Sequence, residues 1–431
     1  MRGKAPPLVQ AVADELYKCN RCGFCQTRCP VYRATGLESL VARGHFARLQ
    51  SVLEGELPLQ EGTMREGLFA CLMCRACTAE CPPAIETDRV VAAARASYLA
   101  RRQSRLQRLI FRRLLASPRE MRLAARALGW LKRTRLTALA RLLLLLPWCD
   151  RGLAEAPEMM PAPGSFLRER LARRRPGQTG TRQVTYFCGC AIDYALPDAG
   201  EATLDVLTAA DSSVAVAANV CCGLPPYSYG DREAACRLAR RNLDVLEDLG
   251  GEAIVTDCAS CASFLKDYPR LFEEGDPDRA RAEAVAARVR EASEFLAQLE
   301  LPANLRPIGA VVTYHDPCHL SRYQKVTAPP RDLLRRLPGV EYRELPEADW
   351  CCGGAGSYAL THHDLSLRIL ERKMENIRTT GADVVVTPCP ACLMQLRYGA
   401  RRFGVGVEVV HLTELVRRAL PQWPETVRPL L

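Results

Sequence analysis

Cys19, Cys22, Cys25 and Cys29 are followed by Pro30, and the same C-x2-C-x2-C-x3-C-P spacing returns at Cys71, Cys74, Cys77, Cys81 and Pro82. Two residues between thiolates let three sulfurs turn inward from one tight loop toward the corners of an iron-sulfur cube, while the fourth leaves along the Cys-Pro arm. In two-cluster proteins with this spacing the fourth thiolate serves the other cluster. One cubane [4Fe-4S] cluster is therefore assigned to Cys19, Cys22, Cys25 and Cys81, and the other to Cys71, Cys74, Cys77 and Cys29. This interleaving keeps two centres close enough to exchange electrons. Structural zinc also takes four thiolates, often as C-x2-C pairs, but such sites do not usually carry a third cysteine in this register and a terminal Cys-Pro.

A second group of cysteines is organised by an internal repeat. VTYFCGC (Val184–Cys190) matches VTYHDPC (Val312–Cys318), Cys221-Cys222-Gly223 matches Cys351-Cys352-Gly353, and VTDCASC (Val255–Cys261) matches VTPCPAC (Val386–Cys392), at offsets of 128, 130 and 131 residues. Within a copy, short β-branched runs (VTYF, SVAVAA, AIVTD) each precede a helical stretch, which predicts a small parallel sheet. The first copy then places Cys190, Cys221, Cys222, Cys258 and Cys261 beyond the carboxyl ends of its strands, and the second does the same with Cys318, Cys351, Cys352, Cys389 and Cys392. That edge of an open α/β sheet is where ligands sit, and a helix start there favours thiolate. Gly223 and Gly353 are read as letting the backbone approach a bulky inorganic cofactor. Five sulfurs per copy exceed what one tetrahedral zinc can use, so an iron cluster is the first reading and zinc the alternative.

The remaining candidates are weaker. Cys188 stands two residues before the expected ligand Cys190 and is an extra thiol without an assigned role, while Cys149 and Cys236 fit no set and read as inert buried thiols. His315 and His319 flank Cys318, and His362 and His363 follow the second Cys-Cys-Gly. Imidazoles there could hydrogen-bond cluster sulfur or carry protons, although each is more simply an ordinary polar residue near a helix start. His45 and His411 have no cluster nearby in sequence and receive no role.

The 431 residues, 48% hydrophobic, suffice for two or three domains with real cores. With 21 cysteines and an opening stretch that lacks an apolar signal-like core, the expectation is a cytoplasmic protein with reduced, metal-bound thiols. The longest apolar run, Leu142 to Trp148, is far short of the roughly 20 residues of a membrane span. The net charge of +10 is concentrated: Arg101 to Arg141 holds thirteen Lys or Arg and one acid, Glu120, a local +12, leaving −2 for the rest. With leucines near helical spacing, this segment reads as Arg-rich amphipathic helices broken near Pro118 and Gly129. It would serve as a solvated linker, a surface for an acidic partner subunit, or a membrane-surface helix; nucleic acid is not expected, because interleaved aromatics and binding motifs are missing.

The C-x~31-CCG-x~35-CxxC pattern resembles the cysteine-rich, or CCG, domain of heterodisulfide reductase, which holds a noncubane [4Fe-4S] cluster. Two ferredoxin runs followed by two CCG units resemble the iron-sulfur subunit of glycolate oxidase, a likeness carried most strongly by RGHFARLQSVLEGE (Arg43–Glu56) and CCGGAGSYALTHHDLSLRILERKMENI (Cys351–Ile377) and extending from Cys19 to about Leu415. A lactate-utilisation protein and the third subunit of anaerobic glycerol-3-phosphate dehydrogenase are similar in layout. The resemblance implies two cubane clusters plus one or two noncubane clusters, with zinc possible in the CCG units. Neither a G-x-G-x-x-G helix opening nor a P-loop is present, and GGAG at Gly353–Gly356 belongs to the CCG turn. Two-electron oxidation of a 2-hydroxy acid is flavin chemistry, so the resemblance places it on an FAD-binding 2-hydroxy-acid dehydrogenase partner of the glycolate oxidase or D-lactate dehydrogenase type. This chain would be the electron-transfer subunit of that oxidoreductase, passing electrons to quinone or a soluble carrier from the cytoplasm or the inner face of the membrane. Alternatives are a heterodisulfide-reductase-like catalytic subunit acting at a CCG-bound cluster, and the electron-transfer subunit of anaerobic glycerol-3-phosphate dehydrogenase.

The expected fold class is α plus α/β. The 41 helix-like residues between Cys29 and Cys71 are too many for a compact β-type ferredoxin, so residues 1–100 should form an all-helical bis-[4Fe-4S] ferredoxin domain. An Arg-rich helical linker (101–180) and two α/β CCG domains with small parallel sheets (181–300 and 301–431) should follow.

Overall fold

The computed structural model describes residues 5–59, 62–100, 103–133, 155–156, 158–161, 164–173 and 180–421. Among them no strand precedes Arg182. The helices Ala42–Leu53, Gly62–Ala70 and Thr87–Leu99 assemble around Leu16, Phe46, Leu49, Leu68, Val90 and Tyr98. Apolar side chains one helical turn apart, such as Phe46 and Leu49, form the inward stripe that lets this part close without a sheet. The two cysteine runs are loops at the edge of this bundle. Each contains two residues in the left-handed region, Arg21 and Gly23 in the first, Met73 and Arg75 in the second. Only one of the four is glycine, so both loops hold a conformation that side chains ordinarily resist.

The basic segment folds as Arg105–Leu109, continuing through Ile110–Leu114, and then as Pro118–Arg133. The expected break at Pro118 is present. The one expected at Gly129 is not: the helix runs through it, because a mid-helix glycine costs about 1 kcal/mol but removes no hydrogen bond, whereas proline removes one. Several arginines are paired within the chain, Arg112 with Asp231 at 3.3 Å and Arg126 with Glu169 at 2.7 Å. Leu106, Leu109, Leu123, Leu128 and Trp130 nevertheless face solvent. The apolar run Leu142 to Trp148, and Cys149 after it, lie outside the described residues. No helix among the described residues is long and apolar enough to cross a membrane.

The rest of the chain is a duplicated α/β unit. Strands β1 (Arg182–Tyr186), β2 (Ser212–Val216), β3 (Ala253–Thr256) and β4 (Val289–Glu291) form an all-parallel sheet in the order β2-β1-β3-β4. Strands β5 (Ala310–Tyr314), β6 (Val340–Tyr342), β7 (Val384–Thr387) and β8 (Glu408–His411) repeat it as β6-β5-β7-β8. The central β3 and β7 are buried at every position, as a parallel sheet covered on both faces requires. The fourth strand of each sheet goes beyond the three expected, since three or four residues carry little alternation.

One apolar core runs through both repeats, joining Leu204 and Leu207 of the first to Leu412, Leu415 and Val416 of the second. Polar groups register the seam. Asp257 Oδ2 accepts from Tyr186 Oη at 2.7 Å, Thr203 and Thr413 hydroxyls meet at 2.9 Å, and His411 Nε2 donates to the Asp257 carbonyl at 2.9 Å. His411, given no role from sequence, is thus a seam residue. Its counterpart by strand register is Glu291, paired with Thr256 as His411 is with Thr387. Glu291 Oε2 accepts from the Ser293 backbone at 2.9 Å, and Oε1 has no partner.

Burial pushes the Glu291 carboxyl up to about 8. A raised carboxyl favours folding while it is protonated, and that advantage is lost as pH rises from its unfolded value near 4.5 through about 8, at up to about 1.4 kcal/mol per pH unit. Glu291→Gln should therefore raise the apparent Tm at pH 8.5 and leave it nearly unchanged at pH 5; thermal melts showing an equal shift at both would exclude a protonated Glu291.

Candidate metal centres

Every described cysteine is a free thiol. In the helical part, the short helix within the first run, Phe24–Arg28, packs on Ala76–Ala79 within the second, which sets the two loops face to face. Cys29, Cys71, Cys74 and Cys77 line one cavity; Cys81 is not among its lining residues. Cys81 borders an apolar cluster that Cys19, Cys25 and Cys77 also border. Cys29 of the first run thus stands with three thiols of the second. Burial pushes Cys29 up to about 12 and Cys71 up to about 11. Such thiols are held as anions only if a cation compensates them.

The compensating groups are at hand. The fully buried Arg95 guanidinium lies beside Cys71 and donates to the carbonyls of Leu68 (2.6 Å), Cys71 (2.6 Å) and Ser228 (2.7 Å). Arg322, beside Cys74 and Cys318, donates to the Cys74 carbonyl at 3.3 Å and to Asp349 Oδ2 at 3.0 Å. His45 also lines the cavity of the second run, 2% exposed, its Nε2 without a partner. Burial, then Arg95 and Arg48, push it down to about 3, so it is a neutral imidazole. Sequence reasoning missed it because only the return of the Ala42–Leu53 helix brings it there.

In the α/β part all ten repeat cysteines lie past strand ends, as expected, and the two copies face each other. A cavity of about 740 Å³ is lined by Cys190, Cys222, Cys258 and Cys261 of the first copy and by all five cysteines of the second. Cys221 sits behind Cys190, with the sulfurs 4.0 Å apart. Ser260 Oγ bridges the copies, 3.5 Å from Cys389 Sγ and 3.4 Å from His319 Nδ1. Cys222 and Cys352 occupy matching positions and are both more acidic than an ordinary thiol, because Cys221 and Cys261 donate to the former and Cys351 and Cys392 to the latter. The second copy also touches the helical part: Cys74 packs in one buried cluster with Cys351, and Cys318 borders it.

These residues fit an inorganic sulfur-ligated group. Backbone N–H groups point at thiols in three loops, Met73 to Cys71, Cys261 to Cys258 and Gly353 to Cys351, each at 3.4 Å. Space is kept by glycines other than those expected. A Cβ on Gly189 would come within 3.3 Å of Cys261 Sγ, and one on Gly354 within 3.4 Å of Cys352 Sγ. Gly223 and Gly353 are required for a different reason: both have left-handed φ (99° and 79°), and a Cβ would meet Phe264 and the Ala235 carbonyl or, at 2.7 Å, the Ser366 carbonyl.

The other expected candidates divide. Cys188 is buried in the apolar core and borders a small cavity with Cys190 and Cys221, while Asp316, its counterpart, pairs with Arg331 at 2.6 Å. Cys236 lies 3.6 Å from the Leu271 carbonyl, apart from any set. His362 stacks on Tyr358 at 4.6 Å and His363 meets the Ala359 carbonyl at 3.2 Å, neither lining the cavity. His315 and His319 do line it.

Residues 15–85 match the 4Fe-4S dicluster domain family, and residues 184–266 and 312–397 each match the cysteine-rich domain family named CCG. A "probable glycolate oxidase iron-sulfur subunit" of Bacillus subtilis (strain 168) is 30% identical over 418 residues, 94% of either chain. The chain belongs to the glycolate oxidase iron-sulfur subunit family. Lactate utilization protein A 1 of Bacillus cereus (strain AH820) is 31% identical over 54% of this chain and 98% of its own length. A fumarate reductase (CoM/CoB) subunit of Methanothermobacter marburgensis is 35% identical over 56% of this chain and 47% of its own. This member of the glycolate oxidase iron-sulfur family is accordingly an iron-sulfur protein with a dicluster part and two cysteine-rich units.

The interleaved assignment has a direct check. Cys19→Ser and Cys81→Ser should abolish the same cubane EPR signal, and Cys29→Ser and Cys71→Ser the other; a Cys29→Ser spectrum matching that of Cys19→Ser would mean that each run holds its own cluster.

Proposed function

We propose that this chain is the electron-transfer subunit of an FAD-dependent 2-hydroxy-acid dehydrogenase, taking electrons from a partner flavin subunit and delivering them to quinone or a soluble carrier. The observation that carries this reading is the unbroken order of thiol sets: exposed Cys22, the buried set around Cys74, the Cys351 set in contact with it, and the cavity shared by both CCG units. Clusters bound by these sets supply one-electron carriage. The residues do the rest. Cys22 leaves the first set open to a docking partner, Arg95 and Arg322 compensate anionic sulfur, and the buried loops keep water from the inner sets. The relatives named for glycolate oxidase and lactate utilisation support a 2-hydroxy acid as the partner's substrate.

A second reading is favoured by the cavity itself. Thiol sets on two sides of one space of about 740 Å³ could deliver two electrons to one bound molecule, which suits reduction of a disulfide.

The deciding experiment is anaerobic iron and sulfide analysis followed by stopped-flow mixing. Two cubanes give about eight iron per chain, and filled CCG units raise this to about sixteen. Glycolate or D-lactate should bleach the cluster absorbance only when the FAD subunit is present. Bleaching by the hydroxy acid without that subunit would refute the relay, and reoxidation of the reduced chain by a disulfide would favour the second reading.

A further inference from the structure

His315 directly follows β5 and precedes Cys318 by three residues. Its ring is 1% exposed and lines the shared cavity. Neither ring nitrogen has a hydrogen-bond partner; the Ala348 carbonyl faces the ring but accepts from Lys373 Nζ at 3.1 Å. A ring nitrogen, Cys352 Sγ and Cys392 Sγ all lie within 4.8 Å of one another. A buried imidazole with nothing to bond keeps the full cost of its lost hydration, so such a ring beside two thiols calls for a partner in the cavity. Imidazole nitrogen and thiolate are compatible ligands of one iron. At the matching position of the first copy stands Phe187, fully buried and without a donor atom.

We propose that His315 is a nitrogen ligand of the metal centre in the second CCG unit, bound to the same metal atom as Cys352 and Cys392, and that the first unit has no equivalent. This rests on the reading that the second unit holds iron. A neutral imidazole adds no negative charge, and replacing thiolate by histidine raises the potential of an iron-sulfur centre. The buried ammonium of Lys373, which lies near Cys352 and Cys351, acts in the same direction. The second unit is therefore the easier of the two to reduce, and it is the one packed against Cys74.

The test uses the full chain, purified anaerobically in a Cys222→Ala/Cys261→Ala background that empties the first unit. Iron analysis and Mössbauer spectra are recorded with His315, with His315→Leu and with His315→Cys, and nitrogen hyperfine spectra with isotope-labelled histidine. The expected result is one iron with the isomer shift of mixed nitrogen and sulfur ligation and a strong, label-sensitive nitrogen coupling, both lost in His315→Leu. His315→Cys, which restores a donor, should keep the iron content, lose the nitrogen coupling and move the potential to more negative values. Iron in the second unit without strong nitrogen coupling, or coupling that survives His315→Leu, overturns the ligand. A second unit free of iron overturns the reading beneath it as well.

Discussion

Cys74 and Cys351 pack in one buried cluster, and across this contact the helical part of the chain meets the second α/β repeat. Much of the architecture serves to hold that contact in a place that water does not reach. Arg322 grips the Cys74 carbonyl and Asp349 together, Asp349 takes a second guanidinium from Arg28 at 2.7 Å, and Tyr323 and Tyr358 donate to the Met73 and Ala70 carbonyls at 2.6 and 3.0 Å. Each neutral bond is worth only about 1 kcal/mol net, but an orphaned buried carbonyl costs more than the bond contributes, so the set behaves as a unit. The same bonds that fasten the parts also fix the cysteine loops. Metal binding and domain docking are consequently coupled.

Charge follows the same logic. Several thiolates in a low-dielectric interior repel one another, and the chain answers with buried guanidinium groups rather than with surface lysines. Arg95 bonds to carbonyls on both sides of the junction between the helical part and the first repeat, at Cys71 and Ser228. The strongly basic Arg101 to Arg141 segment uses its charge differently: Arg113 and Arg126 pair with exposed or half-buried acids and Arg112 with the buried Asp231, while Phe111 and Leu115 line the shared cavity.

Much of this is legible before any fold is in view, and for physical reasons. Thiol ligation demands fixed spacing, so the two C-x2-C-x2-C-x3-C-P runs and the repeated Cys-Cys-Gly announce themselves. Parallel strands buried on both faces need continuous β-branched runs, so AIVT and VVVT stand out. The short β4 and β8 lack that signal and exist only because β3 and β7 offer an edge. Gly129 misleads because its cost is small beside the helix around it. The roles of Gly189, Gly354, His45 and His411 are set by what arrives from elsewhere in the chain, and Gly223, credited from sequence to a cofactor, is required by helix packing.

The two α/β copies share one core yet differ where they correspond: Glu291 against His411, Cys188 against Asp316, Phe187 against His315. A twofold pair of separate, identical chains could not do this, since any residue chosen for one side would appear on the other. Tandem fusion lifts that rule while keeping the packing that symmetry provides. A charge delivered to a symmetric pair of centres would find both sides alike; joined end to end in a single chain, the pair can have a direction.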